Sequence, residues 1–306
     1  MKIVILDSDS IFGKSLTKFL EKSSHQVILL SLKKDINLLN LAKTKKVFAS
    51  VVPDVIYNFA SYGGGLHYVT AYAADVVHIN MQMALTLYRA VSSVCPNTRI
   101  VNTLANCSYP GNADIQKETE WFAGEVHKSV YGYGNVKRMQ YVLSYCYKQQ
   151  YDMRSINLIV PNHYGPGDYT DPVKVHAIDG MIIRMIQAKR RGDREFEIWG
   201  TGKPIREWGY IMDIARVLAK VLTIDEDLSE PVNIGQKHGY PISYSAKLIA
   251  NALGFSGNLV FNTKYQDGAP KKVLDNRRFK KIFGDFKFTS HERGIKETVE
   301  YYQVLL

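Results

Sequence analysis

The sequence predicts an α/β protein built on a doubly wound parallel sheet of the Rossmann type, with a smaller mixed part towards its C-terminus. Two observations predict this fold. Over the first half of the chain, short apolar runs typical of buried strands alternate with amphipathic helical stretches, a pattern typical of parallel sheets covered by helices. The chain also has 306 residues, of which 46% are hydrophobic, so it can bury a large core.

The elements of the first half follow one another in regular order. The predicted strands are residues 1–6, 25–30, 53–60, 99–105 and 153–160. The predicted helices, which carry apolar residues at helical spacing, are residues 11–22, 39–51, 75–94 and 132–151. Sheets of this kind bind ligands beyond the carboxyl ends of their strands, so we expect the functional site at that edge.

The pattern loosens after the segment PNHYGPGD, residues 161–168, where Pro, Gly and Asp cluster. The later predicted elements are helices over 181–191, 213–222 and 292–306 and strands over 196–200, 206–211 and 231–235. We therefore predict two domains. Residues 1–165 with about 210–235 would form a dinucleotide-binding domain, and residues 166–209 with 236–306 a smaller domain that faces the substrate.

The composition narrows the class of partner. A net charge of +10 fits nucleic acid, a membrane surface or small polyanions such as nucleotides, but the basic residues are spread along the chain without a long basic tail. No apolar run approaches the roughly 20 residues that span a membrane. The three cysteines, Cys95, Cys107 and Cys146, lack metal-ligand spacing and are odd in number. We therefore expect no metal, no disulfide, no nucleic acid and no membrane partner, and a reducing cytosol as the location.

The turn after the first predicted strand departs from the usual dinucleotide-binding pattern. Such turns hold three glycines, but the corresponding positions here are Asp7, Ser10 and Gly13. Gly13 would still let the first helix pack closely on the sheet, whereas the Asp7 carboxylate would oppose an anionic pyrophosphate. One interpretation is a scaffold that binds cofactor weakly or not at all. Lys33 and Lys34 are placed where a ribose 2′-phosphate would lie, which favours NADP over NAD.

Several segments together resemble one family. They are ASYGGG (60–65), NCSYPG (106–111), Tyr133 with Lys137, PNHYGPGD (161–168), EIWGTGKPIREW (197–208) and DGAPKK (267–272). In this order they resemble the extended short-chain dehydrogenase/reductases that act on nucleotide sugars, and most closely the branch that epimerises and reduces GDP-linked 4-keto-6-deoxy sugars. The resemblance covers nearly the whole chain.

The resemblance implies roles for the Tyr-x-x-x-Lys pair. Tyr133 corresponds to the proton donor to the C4 ketone, and Lys137 to the residue that lowers the pKa of this tyrosine and binds the nicotinamide ribose. Residues four apart lie on one face of a helix, so an ammonium can sit beside the phenol. A nearby positive charge favours phenolate and is expected to bring the pKa from ~10 towards neutrality.

The resemblance also implies that Cys107 and His176 form the acid/base pair of an epimerase. A proton on a carbon next to a ketone is acidic, so a base on one face and an acid on the other invert the centre. Thiols and imidazoles titrate near enough to neutral pH for this task. The remaining implied positions are Asn162 at the cofactor and Arg184, Trp199, Lys203, Arg206 and Asp267 at the substrate.

One family position is changed in this chain. The serine that shares the substrate's keto oxygen with the tyrosine corresponds to Ala105. Thr103, Asn106 and Ser108 are candidates to replace it, and Ser108 is the nearest spare hydroxyl, although neighbouring strand residues point to opposite faces.

The sequence therefore leaves three functions open. The first is epimerisation next to a C4 ketone and NADPH-dependent C4 reduction of a GDP-4-keto sugar, with NAD as the other possible cofactor. The second is epimerisation only, or C4 reduction only, on a different 4-keto nucleotide sugar. The third is a non-catalytic nucleotide-binding protein on a decayed Rossmann fold, which the joint presence of four reactive side chains disfavours. The resemblance also implies a homodimer paired through residues 75–94 and 132–151.

Overall fold

The structure is a computed structural model that describes residues 1–224, 228 and 230–306. Its strands, in chain order, are β1 Lys2–Leu6, β2 Gln26–Leu30, β3 Val55–Asn58, β4 Arg99–Ala105, β5 Ser155–Val160, β6 Asn162–Tyr164, β7 Glu195–Trp199, β8 Ile205–Arg206, β9 Trp208–Tyr210, β10 Val232–Asn233, β11 Tyr240–Pro241, β12 Asn258–Asn262 and β13 Lys271–Lys272. Six of them form the central sheet in the order β10-β5-β4-β3-β1-β2. All neighbouring strands of this sheet are parallel, which confirms the predicted fold class.

Helices cover the sheet and build the C-terminal part. They are α1 Ile11–Leu20, α2 Leu41–Val51, α3 Leu66–Ala71, α4 Ala73–Val94, α5 Tyr131–Tyr151, α6 Ala177–Arg191, α7 Ile211–Lys220, α8 Ile242–Leu253, α9 Arg277–Phe283 and α10 His291–Leu305. Across the described ranges 1–224 and 230–306, no helix combines the length and the apolar character that crossing a membrane requires.

The two faces of the sheet are buried in separate hydrophobic cores. In β1, Ile3 and Ile5 pack into one core with residues of α1 and α7. Val4 and Leu6 pack into the other core with residues of α2 and α4. Successive strand residues point to opposite faces, so a continuous apolar run such as IVIL requires helices on both sides of the sheet. The apolar runs of the sequence therefore predicted the layer arrangement correctly.

The C-terminal half forms a third core between α6, α8 and α10. Ile182, Ile249 and Val299 are buried there with β7 and β9 residues. Phe279 and Phe283 of α9 pack instead into the core of the central sheet. The range 210–235, which the sequence assigned to the first domain, includes residues 225–227 and 229, which lie outside the described residues.

The structure differs from the prediction at β8 and β9 and at α3. The predicted strand over residues 206–211 is divided into β8 and β9 at Glu207, whose buried carboxylate accepts a hydrogen bond from the Leu274 amide at 2.7 Å and one from the Gln236 amide. A carboxylate in this position turns the local backbone away from continuous pairing. Helix α3 was not predicted, since its six residues are too few to show helical periodicity.

The first turn keeps a glycine-like backbone although only the last of the three glycines, Gly13, is present. Asp7 adopts φ 64°, in the left-handed region that glycine usually supplies. The Ser10 hydroxyl donates to the Asp7 carbonyl at 2.7 Å and accepts from the Gly13 amide at 3.1 Å, so it caps α1. A Cβ at Gly13 would lie 2.7 Å from the Asp7 carbonyl oxygen. Only glycine therefore permits this approach of α1 to the turn.

Candidate active site

The candidate site lies where β3, β4 and β5 end, as expected for a parallel sheet. Ser61 follows β3, Cys107 follows β4 and Asn162 follows β5. Helix α5 brings Tyr133 and Lys137 to the same edge in its first two turns. Cys107 and Tyr133 pack in one small hydrophobic cluster. The structure therefore brings together residues that are far apart in the chain.

Tyr133 is a partly buried phenol with a neighbouring hydroxyl. Its Oη lies 3.4 Å from Ser61 Oγ, and a Cβ at Gly63 would lie 3.5 Å from its ring. Burial raises the pKa of Tyr133 to about 12, the charge of Cys107 raises it further, and the Ser61 hydrogen bond lowers it. In these surroundings Tyr133 therefore holds its proton at neutral pH.

The expectation that Lys137 brings the pKa of Tyr133 towards neutrality differs from the structure, in which the pKa of Tyr133 is raised. Lys137 Nζ lies 5.4 Å from the centre of the Tyr133 ring and donates to the Thr103 carbonyl at 3.3 Å. The Lys137 side chain is only 4% exposed, and burial lowers its pKa to about 8. Because burial disfavours the charged phenolate, the phenol is the stable form.

Cys107 is influenced by the charges of two lysines, the buried Lys137 and the partly buried Lys272. Burial raises the pKa of its thiol, while the ammonium groups of Lys272 and Lys137 lower it. Burial also lowers the pKa of Lys272 to about 8, and Cys107 opposes that shift. Sequence reasoning missed Lys272, which is the last residue of the DGAPKK segment. No pattern in the sequence distinguishes Lys272 from its neighbour Lys271. The position of Lys272 near Cys107 depends on how β13 is placed in the fold.

His176 precedes α6 and is held by a buried carboxylate. Its Nδ1 lies 2.9 and 3.0 Å from the two oxygens of Asp168, and its backbone amide donates to Asp168 at 2.8 Å. The His163 ring lies 4.5 Å from the His176 ring, and burial lowers the pKa of His163 to about 3. Sequence reasoning named His176 but assigned no role to Asp168.

Tyr169 links this histidine to the rest of the site. Its ring stacks on the His176 ring at 6.5 Å. Burial raises its pKa, and the charges of Asp7, Asp168 and Tyr133 raise it further. Tyr169 is therefore near the first turn, His176 and Tyr133 at the same time.

None of the three proposed substitutes for the missing serine is free. The Ser108 hydroxyl donates to the Ala105 carbonyl at 2.5 Å and accepts from Trp121 Nε1 at 2.8 Å, so the preference for Ser108 is wrong. Thr103 donates to a β3 carbonyl, and Asn106 donates to the Asn162 side chain at 3.3 Å. Ser61 supplies the hydroxyl that lies near Tyr133 instead.

The predicted substrate residues form two groups in the C-terminal half. In the first, the Arg184 guanidinium lies 4.5 Å from the centre of the Trp199 ring and donates to the Glu197 carbonyl at 3.1 Å. Trp199 is 40% exposed and stacks on Tyr265 at 4.8 Å. Trp199 is therefore a surface platform and not a core residue.

In the second group, Asp267 joins two loops. Its carboxylate accepts from the Thr201 amide at 3.0 Å and from the Thr201 hydroxyl at 2.6 Å. Arg206 is buried and donates to the Ile205 carbonyl at 2.9 Å; burial lowers its pKa to about 10, and Asp267 opposes this shift. Lys203 is exposed.

The predicted cofactor residues surround the first turn. Lys33 and Lys34 are exposed after β2, Gly13 is buried in α1, and Asn162 accepts from Asn106 beyond β5. Burial raises the pKa of Asp7 to about 6; the Asp9 carboxylate raises it too, while Lys33 and Lys14 lower it. The turn therefore carries a carboxyl group that changes charge in the physiological range.

Comparison with known proteins agrees with this geometry. Residues 8–235 match the NAD dependent epimerase/dehydratase family. The chain belongs to this family, and the enzyme class that the sequence predicted, an extended short-chain dehydrogenase/reductase, is confirmed.

Individual relatives are similar over almost their full length. The chain is 27% identical to the GDP-L-fucose synthase of Dictyostelium discoideum, over 98% of this chain and 94% of that protein. The crystal structure of a GDP-L-fucose synthetase from Naegleria fowleri bound to NADP has a TM-score of 0.89 and 24% identity, covering 99% of this chain and 94% of that one. A GDP-6-OMe-4-keto-L-xylo-heptose reductase from C. jejuni also has a TM-score of 0.89 at 24% identity, covering 100% and 98%.

Proposed function

We propose that this enzyme epimerises a GDP-linked 4-keto sugar next to its C4 ketone and reduces the ketone with NADPH. The observations that carry the proposal are a Tyr-Lys pair packed beside a cysteine at the edge of the sheet and a carboxylate-held histidine whose ring stacks on Tyr169. The names of the relatives, which include GDP-L-fucose synthases, support the GDP sugar as substrate and NADP as cofactor.

A second candidate function is C4 reduction without epimerisation. It is favoured by the similarity to the C. jejuni heptose reductase. The presence of Cys107 and His176 favours the first candidate, since a simple ketone reduction needs neither. A non-catalytic nucleotide-binding protein is a weaker candidate, because four reactive side chains occupy their family positions.

The residues around the first turn fit a dinucleotide. The turn keeps the left-handed backbone at Asp7, and Gly13 permits close approach of the helix N-terminus, where backbone amides bind phosphate. Lys33, Lys34, Lys137 and Asn162 would complete the site. When bound, the cofactor supplies the hydride for reduction.

The protein's own groups supply the protons. A base removes the proton from the carbon next to the ketone, the electron pair moves to the ketone oxygen, and an acid returns a proton to the other face. His176 and Cys107 take these two roles. Tyr133 donates its proton to the ketone oxygen during reduction, and its raised pKa keeps that proton in place beforehand. Arg184, Trp199, Lys203, Arg206 and Asp267 would hold the nucleotide and its phosphates, with arginine suited to bidentate contacts.

Epimerisation and reduction are separable by substitution. In deuterated water without cofactor, we expect Cys107→Ser to slow exchange of the C3 and C5 protons of a GDP-4-keto-6-deoxy sugar by roughly 10²-fold. Tyr133→Phe is expected to reduce NADPH oxidation much more than exchange. NMR follows the exchange and absorbance follows NADPH.

Cys146→Ser is the matched control, because Cys146 is an exposed thiol on α5 away from this cluster. It should leave both rates unchanged. A wild-type enzyme that oxidises NADPH with a 4-keto sugar but exchanges no proton would be a C4 reductase, and the epimerase proposal would be wrong.

Ser61 is our proposal for the hydroxyl that replaces the family serine. β3 and β4 pair at Asn58 and Asn102, and Ser61 and Ala105 each lie three residues beyond that pair. The hydroxyl therefore comes from the neighbouring strand and still reaches Tyr133.

We expect Ser61→Ala to lower kcat for ketone reduction on the order of 10²-fold, the usual loss for one donor to a developing oxyanion, with little change in the Kd for NADPH. Adding Ala105→Ser to this variant should restore most of the rate. Unchanged kcat in Ser61→Ala, or a change confined to the Kd for NADPH, would refute this role for Ser61.

Cofactor affinity should depend on the charge of Asp7. The pKa of about 6 means that Asp7 is neutral at pH 5 and anionic at pH 8, so binding of an anionic pyrophosphate should weaken as the pH rises through 6. We expect about tenfold weaker NADP⁺ binding at pH 8, since one near-surface charge pair is on the order of 1–4 kcal/mol.

Calorimetric titrations of wild type and Asp7→Asn with NADP⁺ and NAD⁺ at both pH values test this. Asparagine keeps the shape and tolerates positive φ, so Asp7→Asn should bind equally well at both pH values. NAD⁺ lacks the 2′-phosphate, so its binding reports the effect of Asp7 on the pyrophosphate alone. NAD⁺ should be the weaker ligand, because Lys33 and Lys34 are placed to bind the 2′-phosphate of NADP⁺. An identical pH dependence in Asp7→Asn would exclude Asp7 as its origin.

We further propose a homodimer paired through α4 and α5. These helices expose apolar side chains, including Val77, Leu85, Met139 and Tyr145, each between 39 and 52% exposed. A cavity of about 620 Å³ lies between their N-terminal ends, lined in part by Val77, Tyr131 and Gly132. Water-exposed apolar surface on two adjacent helices favours burial against a second copy.

Sedimentation equilibrium at micromolar concentration should give twice the chain mass for wild type and the chain mass for Met139→Asp. Val304→Asp is the control, because Val304 is 90% exposed on α10. This variant should stay dimeric. A monomeric wild type would refute the dimer.

The two predicted domains, residues 1–165 with 210–235 and residues 166–209 with 236–306, remain our proposal for the division between cofactor and sugar binding. The separate cores of the central sheet and of α6, α8 and α10 support it, whereas α9 packs into the core of the central sheet. The free thiols of Cys95, Cys107 and Cys146 support a cytoplasmic location.

A further inference from the structure

The loop between β6 and α6 is tied at both ends by buried carboxylates. Gly165 begins it with φ 139°, and a Cβ there would lie 2.5 Å from Ile211. Its amide donates to Asp179, in the first turn of α6, at 3.2 Å. Asp168 then accepts the His176 amide at 2.8 Å where the helix begins. The loop therefore places the carboxylate of Asp168 next to the imidazole of His176.

The burial of the two side chains is unequal. The Asp168 side chain is 1% exposed and the His176 side chain 29% exposed. Both Asp168 oxygens are within 3.0 Å of His176 Nδ1. Nδ1 therefore faces the buried carboxylate, while the ring as a whole keeps part of its surface exposed.

Asp168 is an anion in this arrangement. Burial would raise its pKa, but the charge and hydrogen bonds of His176 lower it below the ordinary value. An ionised carboxylate only accepts hydrogen bonds, so His176 Nδ1 must carry a hydrogen. In the neutral ring, Nε2 then has a free lone pair.

The other neighbours of the ring do not compete with Asp168. His163 packs against it but stays neutral because burial lowers its pKa to about 3. Tyr169 covers the ring by stacking at 6.5 Å and presents no carboxylate. The orientation and the tautomer of His176 therefore depend on Asp168.

We infer that Asp168 is a positioning residue that fixes His176 in the Nδ1–H tautomer and presents Nε2 to the substrate carbon as the proton acceptor. This inference rests on the proposed function for its chemistry. When the carbon–hydrogen bond next to the ketone breaks, the proton passes to Nε2, the electron pair moves to the ketone oxygen, and Asp168 stabilises the resulting imidazolium. The protonated thiol of Cys107 is then the acid that donates to the opposite face.

The tautomer can be measured without any activity. In ¹⁵N-histidine-labelled protein above pH 8, the His176 signals, identified by their loss in His176→Gln, should show a protonated Nδ1 and an unprotonated Nε2. Asp168→Asn should shift His176 to the Nε2–H form, because an amide can donate to Nδ1. Asp171→Asn is the matched control: Asp171 is exposed on the same loop, its carboxylate accepts the Val173 amide, and its substitution should leave the tautomer unchanged.

An Nε2–H tautomer in wild type would overturn the inference even if Asp168→Asn fails to fold. So would an unchanged tautomer in a folded Asp168→Asn protein. With a GDP-4-keto-6-deoxy sugar in deuterated water, Asp168→Asn should slow exchange about 10²-fold through kcat, with KM within about twofold. An effect confined to KM would indicate that Asp168 has a structural role only. If wild type exchanges no proton, the proposed function fails, whereas the tautomer measurement still decides the role of Asp168.

Discussion

The removal of ionisable side chains from water at the carboxyl edge of the sheet is the constraint on which the site depends. Tyr133, Lys137, Cys107 and Lys272 all have their pKa values shifted first of all by burial, and each shift favours the uncharged form. Lys137 Nζ has three hydrogens but a single acceptor, the Thr103 carbonyl, among the described residues. Holding ionisable groups away from water in this way costs folding free energy.

This constraint also explains which parts of the site the sequence could predict. Tyr133 and Lys137 lie four apart on one helix, so local periodicity places them together. The apolar runs predicted the sheet because alternation within a strand is also local. The Ser61–Tyr133 contact spans 72 positions, and nothing in either segment announces it. The pKa of Tyr133 was predicted with the wrong sign because a sequence shows a neighbouring charge but not the loss of water that outweighs it.

The first turn shows the same limit in another form. The sequence showed that two glycines were missing, but not that Asp7 adopts the glycine-like conformation or that burial raises its pKa. A turn can keep its backbone when an aspartate replaces glycine, since aspartate is among the residues that tolerate positive φ. The replacement changes the electrostatics and leaves the shape. The weaker cofactor binding that we propose would therefore depend on charge, and so on pH, more than on fold.

The geometry of parallel strands explains how the site can accommodate alanine at position 105. Neighbouring strands lie roughly 4.8 Å apart, and their carboxyl ends reach the same edge. A hydroxyl placed three residues after Asn58 of β3 can therefore reach the same space as a hydroxyl placed three residues after Asn102 of β4. The strand that carries the hydroxyl can differ as long as the hydroxyl reaches the phenol of Tyr133. A comparison of aligned positions alone records the loss at Ala105, whereas the pairing of the strands shows where a replacement is available.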